Sequence, residues 1–243
     1  MKDKIYTIPV TDAFRVDCEC SFCVLEKALE EESLDYFLGG ALMDPDCRVE
    51  MNEQGFCKLH FDALFDSKKN VLGLGLILTS LLDNYNQKFS KIIEDSKLRL
   101  GNESQKSIFH RKGSDNSANE LKDFLLKTRE DCTICNKLNN TIKRYISVFF
   151  HMWRTELEFR KLFESKKGFC TKHFQMLVEE IDANLKGKDK REFLLILFEQ
   201  QINNLTRLQA EVEWFTEKFD YKNNDAPWEN SKDAVQRCIE KLR

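Results

Sequence analysis

Turn-forming residues are scarce in this chain. Its 243 residues include only 9 glycines and 3 prolines, against average usage of about 7% and 5%. A fold built on many tight turns and short strands is thereby disfavoured, and long helices are expected. Any excess of positive charge is also missing. The net charge is −3, and the 33% of residues that are charged are of mixed sign, so there is no electrostatic footprint for DNA or RNA and no nucleic-acid partner is expected. Long apolar runs are absent too. The longest, Leu72 to Leu82, falls well short of the roughly 20 residues that a membrane helix needs. The opening residues Met1-Lys2-Asp3-Lys4-Ile5-Tyr6 carry no apolar run of signal-peptide type. The reading is a cytoplasmic protein without membrane insertion. No nucleophile–base pair and no phosphate loop stands out, so nothing in the chain points to an enzyme.

What the chain does have is one stretch that occurs twice. Gly55-Phe56-Cys57-Lys58-Leu59-His60-Phe61 returns as Gly168-Phe169-Cys170-Thr171-Lys172-His173-Phe174. A C-x-x-C pair precedes each copy, Cys20/Cys23 before the first and Cys132/Cys135 before the second. The offsets are nearly constant: 132−20 and 135−23 give 112, and 170−57 and 173−60 give 113. Four ligand-type positions recurring with a drift of one residue identify two copies of one metal-binding module. With nine cysteines, an odd number, a reducing compartment implies thiols and metal ligands rather than a disulfide framework.

Helical geometry explains the spacing. Residues three apart share a helix face, with β-carbons about 5–6 Å apart, so a thiolate and an imidazole in C-x-x-H can reach one ion. Each module is expected to close a site of three cysteines and one histidine: Cys20, Cys23, Cys57 and His60 in the first, Cys132, Cys135, Cys170 and His173 in the second. If the ligand pairs open helices, two positive dipole ends face the metal and favour thiolate. Zn2+ suits this ligand set, in two closed structural sites. An iron-sulfur cluster uses the same residue types. A third reading has the C-x-x-C pairs cycling between dithiol and disulfide. Cys18, two residues before Cys20, is a spare ligand, a redox thiol or a bystander. Cys47 and Cys238 have no counterparts in the repeat and read as packing residues.

Periodicity places the helices. An extended arm over the first 17 residues leads to a helix from Val24 to Leu38, which stops at Gly39-Gly40. Asp44 caps a short helix with Pro45 at its first position, and another short helix starts at Cys57. A long amphipathic helix runs from Val71 to Leu98, with Leu74, Leu78, Leu81, Leu82, Tyr85, Phe89, Ile92 and Ile93 in one stripe. Residues 99–119, with His110 among them, have linker composition. The second copy has a lead-in helix from Glu120 to Thr128, a helix kept in phase from Leu138 to Phe163, and a long helix from Lys190 to Phe219. Leu195-Ile196-Leu197 matches Leu76-Ile77-Leu78 at an offset of 119, so the repeat includes whole helices. A C-terminal helix from Ser231 to Leu242 follows Trp228, which is expected to anchor it. Gly55 and Gly168 are expected at positive φ, before each ligand helix.

This combination of C-x-x-C, Gly-Phe-Cys-x-x-His about 35 residues later, a long helix after each copy and a Pro-Trp near the C-terminus resembles an uncharacterised family of bacterial domain-of-unknown-function proteins. The resemblance covers the chain from about Cys20 onward. It implies a mostly helical, cytoplasmic, metal-binding protein and brings no activity. The expectation is therefore an all-α protein of two pseudo-repeated modules, residues 1–98 and 120–243, joined by a linker at 99–119, with the long helices packed as a bundle. Its expected role is a zinc-binding scaffold that recognises another protein or a second copy of itself. The alternative is a thiol-based or iron-sulfur redox sensor acting through Cys18, Cys20 and Cys23.

Overall fold

In the computed structural model, residues 4–103 and 117–243 are described. They form eleven α-helices, and no strand occurs among the described residues. In chain order these are α1 (Lys4–Arg15), α2 (Ser21–Phe37), α3 (Pro45–Gln54), α4 (Lys58–Asp66), α5 (Val71–Glu103), α6 (Ser117–Glu130), α7 (Thr133–Thr155), α8 (Leu157–Glu164), α9 (Thr171–Asn184), α10 (Gly187–Glu217) and α11 (Ala234–Leu242). No helix among the described residues is long and apolar enough to cross a membrane.

The chain divides into two compact units: Met1–Ala28 together with Asn140–Arg243, and Leu29–Asn139. Both boundaries fall inside helices, α2 and α7. These units do not coincide with modules at 1–98 and 120–243. Of the expected linker, residues 99–103 continue α5 and 117–119 open α6. Residues 104–116, including His110, lie outside the described residues.

The unit Leu29–Asn139 is built on Phe37, Leu38, Met51, Phe56, Leu64, Leu74, Ile77, Ile134 and Leu138. Asp44 caps α3 as expected, its Oδ1 accepting from the Asp46 and Cys47 N–H groups at 2.9 and 3.3 Å. Asn70 starts α5: its Oδ1 accepts from the Gly73 N–H at 2.8 Å while its Nδ2 donates to the Leu38 carbonyl at 2.7 Å. The α5 stripe lies on the inner face as expected except at Leu82, and Ile77 belongs to that face as well. Ile77 is buried, and Leu82 is 55% exposed. Further along, Tyr85 and Phe89 of α5 meet Phe124 of α6, with centroids 5.2 and 6.2 Å apart.

In the other unit the core is aromatic. Phe149 lies among Phe14, Phe159, Phe163 and Phe193 at centroid distances of 5.3, 5.8, 5.4 and 5.9 Å. Two sequence expectations are corrected here, both by this core. The N-terminal residues form α1, with Pro9 inside it, instead of an extended arm. Proline removes the bond to the carbonyl four residues back, but Val10, Ala13 and Phe14 share one face and are buried, and that packing outweighs the lost bond. The helix after Cys135 is also not continuous. Glu156, at φ −121° and ψ 104°, separates α7 from α8 without glycine or proline. The break returns Phe159 and Phe163 to the core, and Arg160 stacks over Trp153 at 4.0 Å. His151, the histidine on α7, is exposed.

Trp228 packs on the end of α10, with centroids 5.9 Å from Phe215 and 6.3 Å from Phe219. The Trp214 Nε1–H donates to the Pro227 carbonyl at 3.0 Å. The turn that follows leads into α11, whose Ala234 is fully buried.

Candidate metal centres

All eight repeat-derived ligands come together in two groups, but crosswise. Cys20 and Cys23 meet Cys170 and His173, and Cys57 and His60 meet Cys132 and Cys135. The expected grouping within each copy is therefore corrected: the C-x-x-C of one copy is completed by the C-x-x-H of the other. Helix length supplies the reason. In copy two, the 23 residues of α7 rise about 34 Å away from Cys132/Cys135, and the 8 residues of α8 span only about 12 Å. With only residues 165–169 between α8 and Cys170, a return to its own C-x-x-C would need a fully extended chain, and Cys170 joins Cys20 and Cys23 instead.

Every ligand stands at a helix start. Cys20 and Cys132 directly precede α2 and α7. Cys57 and Cys170 are the N-cap residues of α4 and α9, with nearly identical backbones at φ −71°, ψ 166° and φ −68°, ψ 164°. His60 and His173 lie three positions later, in the first turn. Gly55 and Gly168 have φ of 65° and 77° as expected. Each site thus faces the positive ends of two helices, which favour thiolate.

In the site of the aromatic unit, His173 Nδ1 is 3.6, 3.5 and 3.2 Å from the sulfurs of Cys20, Cys23 and Cys170. Cys23 and Cys170 are 3.5 Å apart, sulfur to sulfur. In the other site, His60 Nδ1 is 3.3 Å from each of Cys57, Cys132 and Cys135, and Cys57 and Cys135 are 3.8 Å apart. A tetrahedral ion with Zn–S near 2.3 Å and Zn–N near 2.0 Å needs about 3.8 Å between sulfurs and about 3.5 Å between sulfur and nitrogen. The donor sets fit that ion.

The second imidazole nitrogen faces a carboxylate in both sites. His60 Nε2 is 3.1 Å from Glu30 Oε1. His173 Nε2 is fully buried without a hydrogen-bond partner, and Glu26 Oε2, at 3.6 Å, is aimed at it. Both carboxylates are on α2. A carboxylate behind a ligating imidazole fixes the tautomer and makes the ring a better donor.

Protonation without metal follows from this crowding. Burial pushes the Cys20 and Cys135 thiols up to about 12. Cys170 is held low by hydrogen bonds from Cys20 and Cys23, and Cys23 is raised by the same hydrogen bond to Cys170. One thiolate is thus shared by protonated neighbours, and a cation bound there replaces those protons. Burial lowers His60, against the pull of Glu30, and so keeps the ring neutral for ligation.

Cys18 is outside both groups. It lies 4.0 Å from Ser21 Oγ, and burial raises its pKa. Cys47 packs against the core of its unit and pairs with the Tyr36 hydroxyl at 2.9 Å.

Family of unknown function (DUF6062) matches residues 1–243. The chain belongs to this family. No curated protein and no solved structure matches it. The DUF6062 chain also uses residues at its sites that the repeat did not mark. Thr133 donates its N–H and its hydroxyl to the Gly55 carbonyl, both at 3.0 Å, tying together the two loops that carry Cys57 and Cys132. Lys241, fully buried, donates Nζ to the carbonyls of Glu19 and Lys167 and ties the loops before Cys20 and Cys170. Glu19 is itself buried, bound by both Arg207 Nη2–H bonds at 2.8 and 2.7 Å and by Arg237 at 3.2 Å. None of Glu19, Glu26, Glu30 or Lys241 stands out in a sequence with 41 acidic and 38 basic residues.

Proposed function

We propose that this DUF6062 protein is a zinc-stapled helical scaffold that binds another protein through its long helices. One observation carries the reading. Each site offers four protein donors within 4.8 Å of one another, a closed tetrahedral set that leaves no position for a catalytic water. Cys20, Cys170, Cys132, His60 and His173 are buried, which suits an ion that serves the fold. When bound, zinc would link segments 147–153 positions apart in one site and 72–78 in the other. A cross-link over such separations stabilises by restricting the unfolded chain.

Two features weigh against the redox alternative. An iron-sulfur cluster spreads its cysteines over several irons with sulfides between them, whereas these donors are close enough for one ion. Cys18 has a raised thiol pKa, the opposite of what a reactive thiol requires.

Support for the interaction role comes from α10. Leu195, Phe198, Ile202 and Leu205 follow one another at spacings of three and four and are all exposed. This is the apolar row by which one helix meets another.

Elemental analysis of protein purified without oxygen tests the metal. About two zinc per chain and no visible colour are expected. Iron with inorganic sulfide would overturn the reading. Sedimentation of Ile202→Glu beside the wild type tests the helix row. A wild-type dimer that becomes monomeric in the variant identifies a second copy as the partner, and a monomer in both directs the row to a different protein.

A further inference from the structure

The unit Leu29–Asn139 contains a cavity of about 400 Å³ walled by Phe56, Phe61, Leu81, Leu82, Tyr85 and Phe124. Ligand pockets of proteins start at about 300 Å³, so this one has room for a bicyclic molecule. The internal repeat indicates what the cavity lacks. In the other unit, Gln201 approaches the loop at Gly168 so closely that a β-carbon there would meet its Oε1 at 2.5 Å. The Gln201 carboxamide forms a two-point bond with the next residue: the Phe169 N–H donates to Oε1 at 2.9 Å, and Nε2 donates to the Phe169 carbonyl at 2.9 Å.

Phe56 is the counterpart of Phe169, in a loop whose glycine and cysteine have matching backbone angles. Over the Gly55 loop the α5 side chain in that place is Leu81, whose Cδ1 a β-carbon on Gly55 would meet at 3.7 Å. An alkyl side chain thus replaces the carboxamide. Among the described residues, neither the N–H nor the carbonyl of Phe56 has a hydrogen-bond partner, although Phe56 is buried and lines the cavity. Buried backbone groups are almost always paired.

We infer that this cavity binds a small, mainly apolar molecule whose polar edge is a carboxamide or lactam, in the place that Gln201 fills by itself in the other unit. The aromatic walls would take the ring system, and the Phe56 backbone would take the donor–acceptor edge. Lys88, Lys127 and Glu53 also line the cavity. Charges of both signs there do not single out an ionic ligand. The inference stands whichever metal fills the neighbouring site.

The test titrates metal-loaded, isotope-labelled full-length protein with naphthalene carboxamide, naphthalene carboxylate and methylnaphthalene, following the Phe56 amide by NMR. Saturable binding of the carboxamide is expected, with a downfield shift of the Phe56 amide proton and at least about tenfold tighter binding than the other two. The variant Leu81→Gln should lose that binding at least about tenfold, because Leu81 is the α5 residue whose side chain approaches the Gly55–Phe56 loop. Leu81 is half-buried, so metal content and circular dichroism first establish that this variant is folded, and the comparison of the three probes on wild-type protein stands without it. Carboxylate bound as tightly as carboxamide would overturn the inference in favour of an anion site at Lys88 and Lys127. Absence of saturation with the carboxamide, or equal binding by folded Leu81→Gln, would also overturn it.

Discussion

Cys23 and Cys170 are 147 positions apart in the chain and 3.5 Å apart in space, sulfur to sulfur. A ligand of one repeat is thus completed by a ligand of the other, and the second site reciprocates with Cys57 and Cys135.

Crosswise ligation makes a definite statement about pairs of substitutions. Cys20→Ala with Cys170→Ala should leave about one metal per chain, because both remove the same site, and the second change should add little to the first in a melting experiment. Cys20→Ala with Cys57→Ala should leave about none. Metal analysis of the two double variants decides, and the reverse pattern would restore ligation within each copy.

Glu30 and Glu26 should matter for metal retention although neither is a ligand. Replacing either by Ala frees the ring nitrogen it faces, and loss of such a partner typically weakens metal binding about 10–100-fold. Competition with a chromogenic chelator measures this. Glu30→Ala should affect only the site containing His60, and Glu26→Ala only the site containing His173.

Glu19 is a buried carboxylate with Arg207, Arg237 and Lys241 around it. Glu19→Ala would remove the carboxylate beside Lys241 and leave Arg207 and Arg237 to Glu211 and Asp233, a change of the kind that costs up to about 3–5 kcal/mol in buried pairs. Urea unfolding should show it, whereas Lys241→Met, similar in length and apolar, should cost less. Equal, small effects would mean that the cluster contributes little to the docking of α11.

The pH dependence should differ between metal-free and metal-loaded protein. Without metal, Cys20 and Cys135 have folded pKa values of about 12 against an ordinary 9.0. A raised folded value favours the protonated native state, so this contribution is present in full below pH 9 and is lost as pH rises from 9 toward about 12. With metal bound the thiolates are already deprotonated, and the alkaline loss should be absent. Urea midpoints at pH 8 and pH 10, with and without chelator, measure the difference. On acidification the order reverses: protons compete for the thiolates, and the loaded protein should release its metal.

Much of the fold is legible in the chain because its signals are local. The Asp44-Pro45 cap, the positive-φ glycines before each ligand helix and the long stripes of α5 and α10 depend on neighbours within a few positions, where capping chemistry and the period of 3.6 operate. Departures occur where distant packing overrides local preference. Pro9 would argue against α1, but Phe14 has its place beside Phe149. Nothing between Thr155 and Leu157 announces a break, but Phe159 and Phe163 must return to the same rings. On α5 only the edge of the stripe differs: Leu82 is exposed and Ile77 is buried, because period 3.6 locates the centre of an apolar face better than its margins.

The eight ligands, their chemistry and their duplication are properties of the sequence alone, because the i, i+3 spacing of C-x-x-C and C-x-x-H holds wherever a helix begins. Which pair completes which could not be read there. Two identical half-sites satisfy the same ligand set in either combination, and only the reach of α7 and α8, with the long-range contacts that seat each loop, distinguishes them.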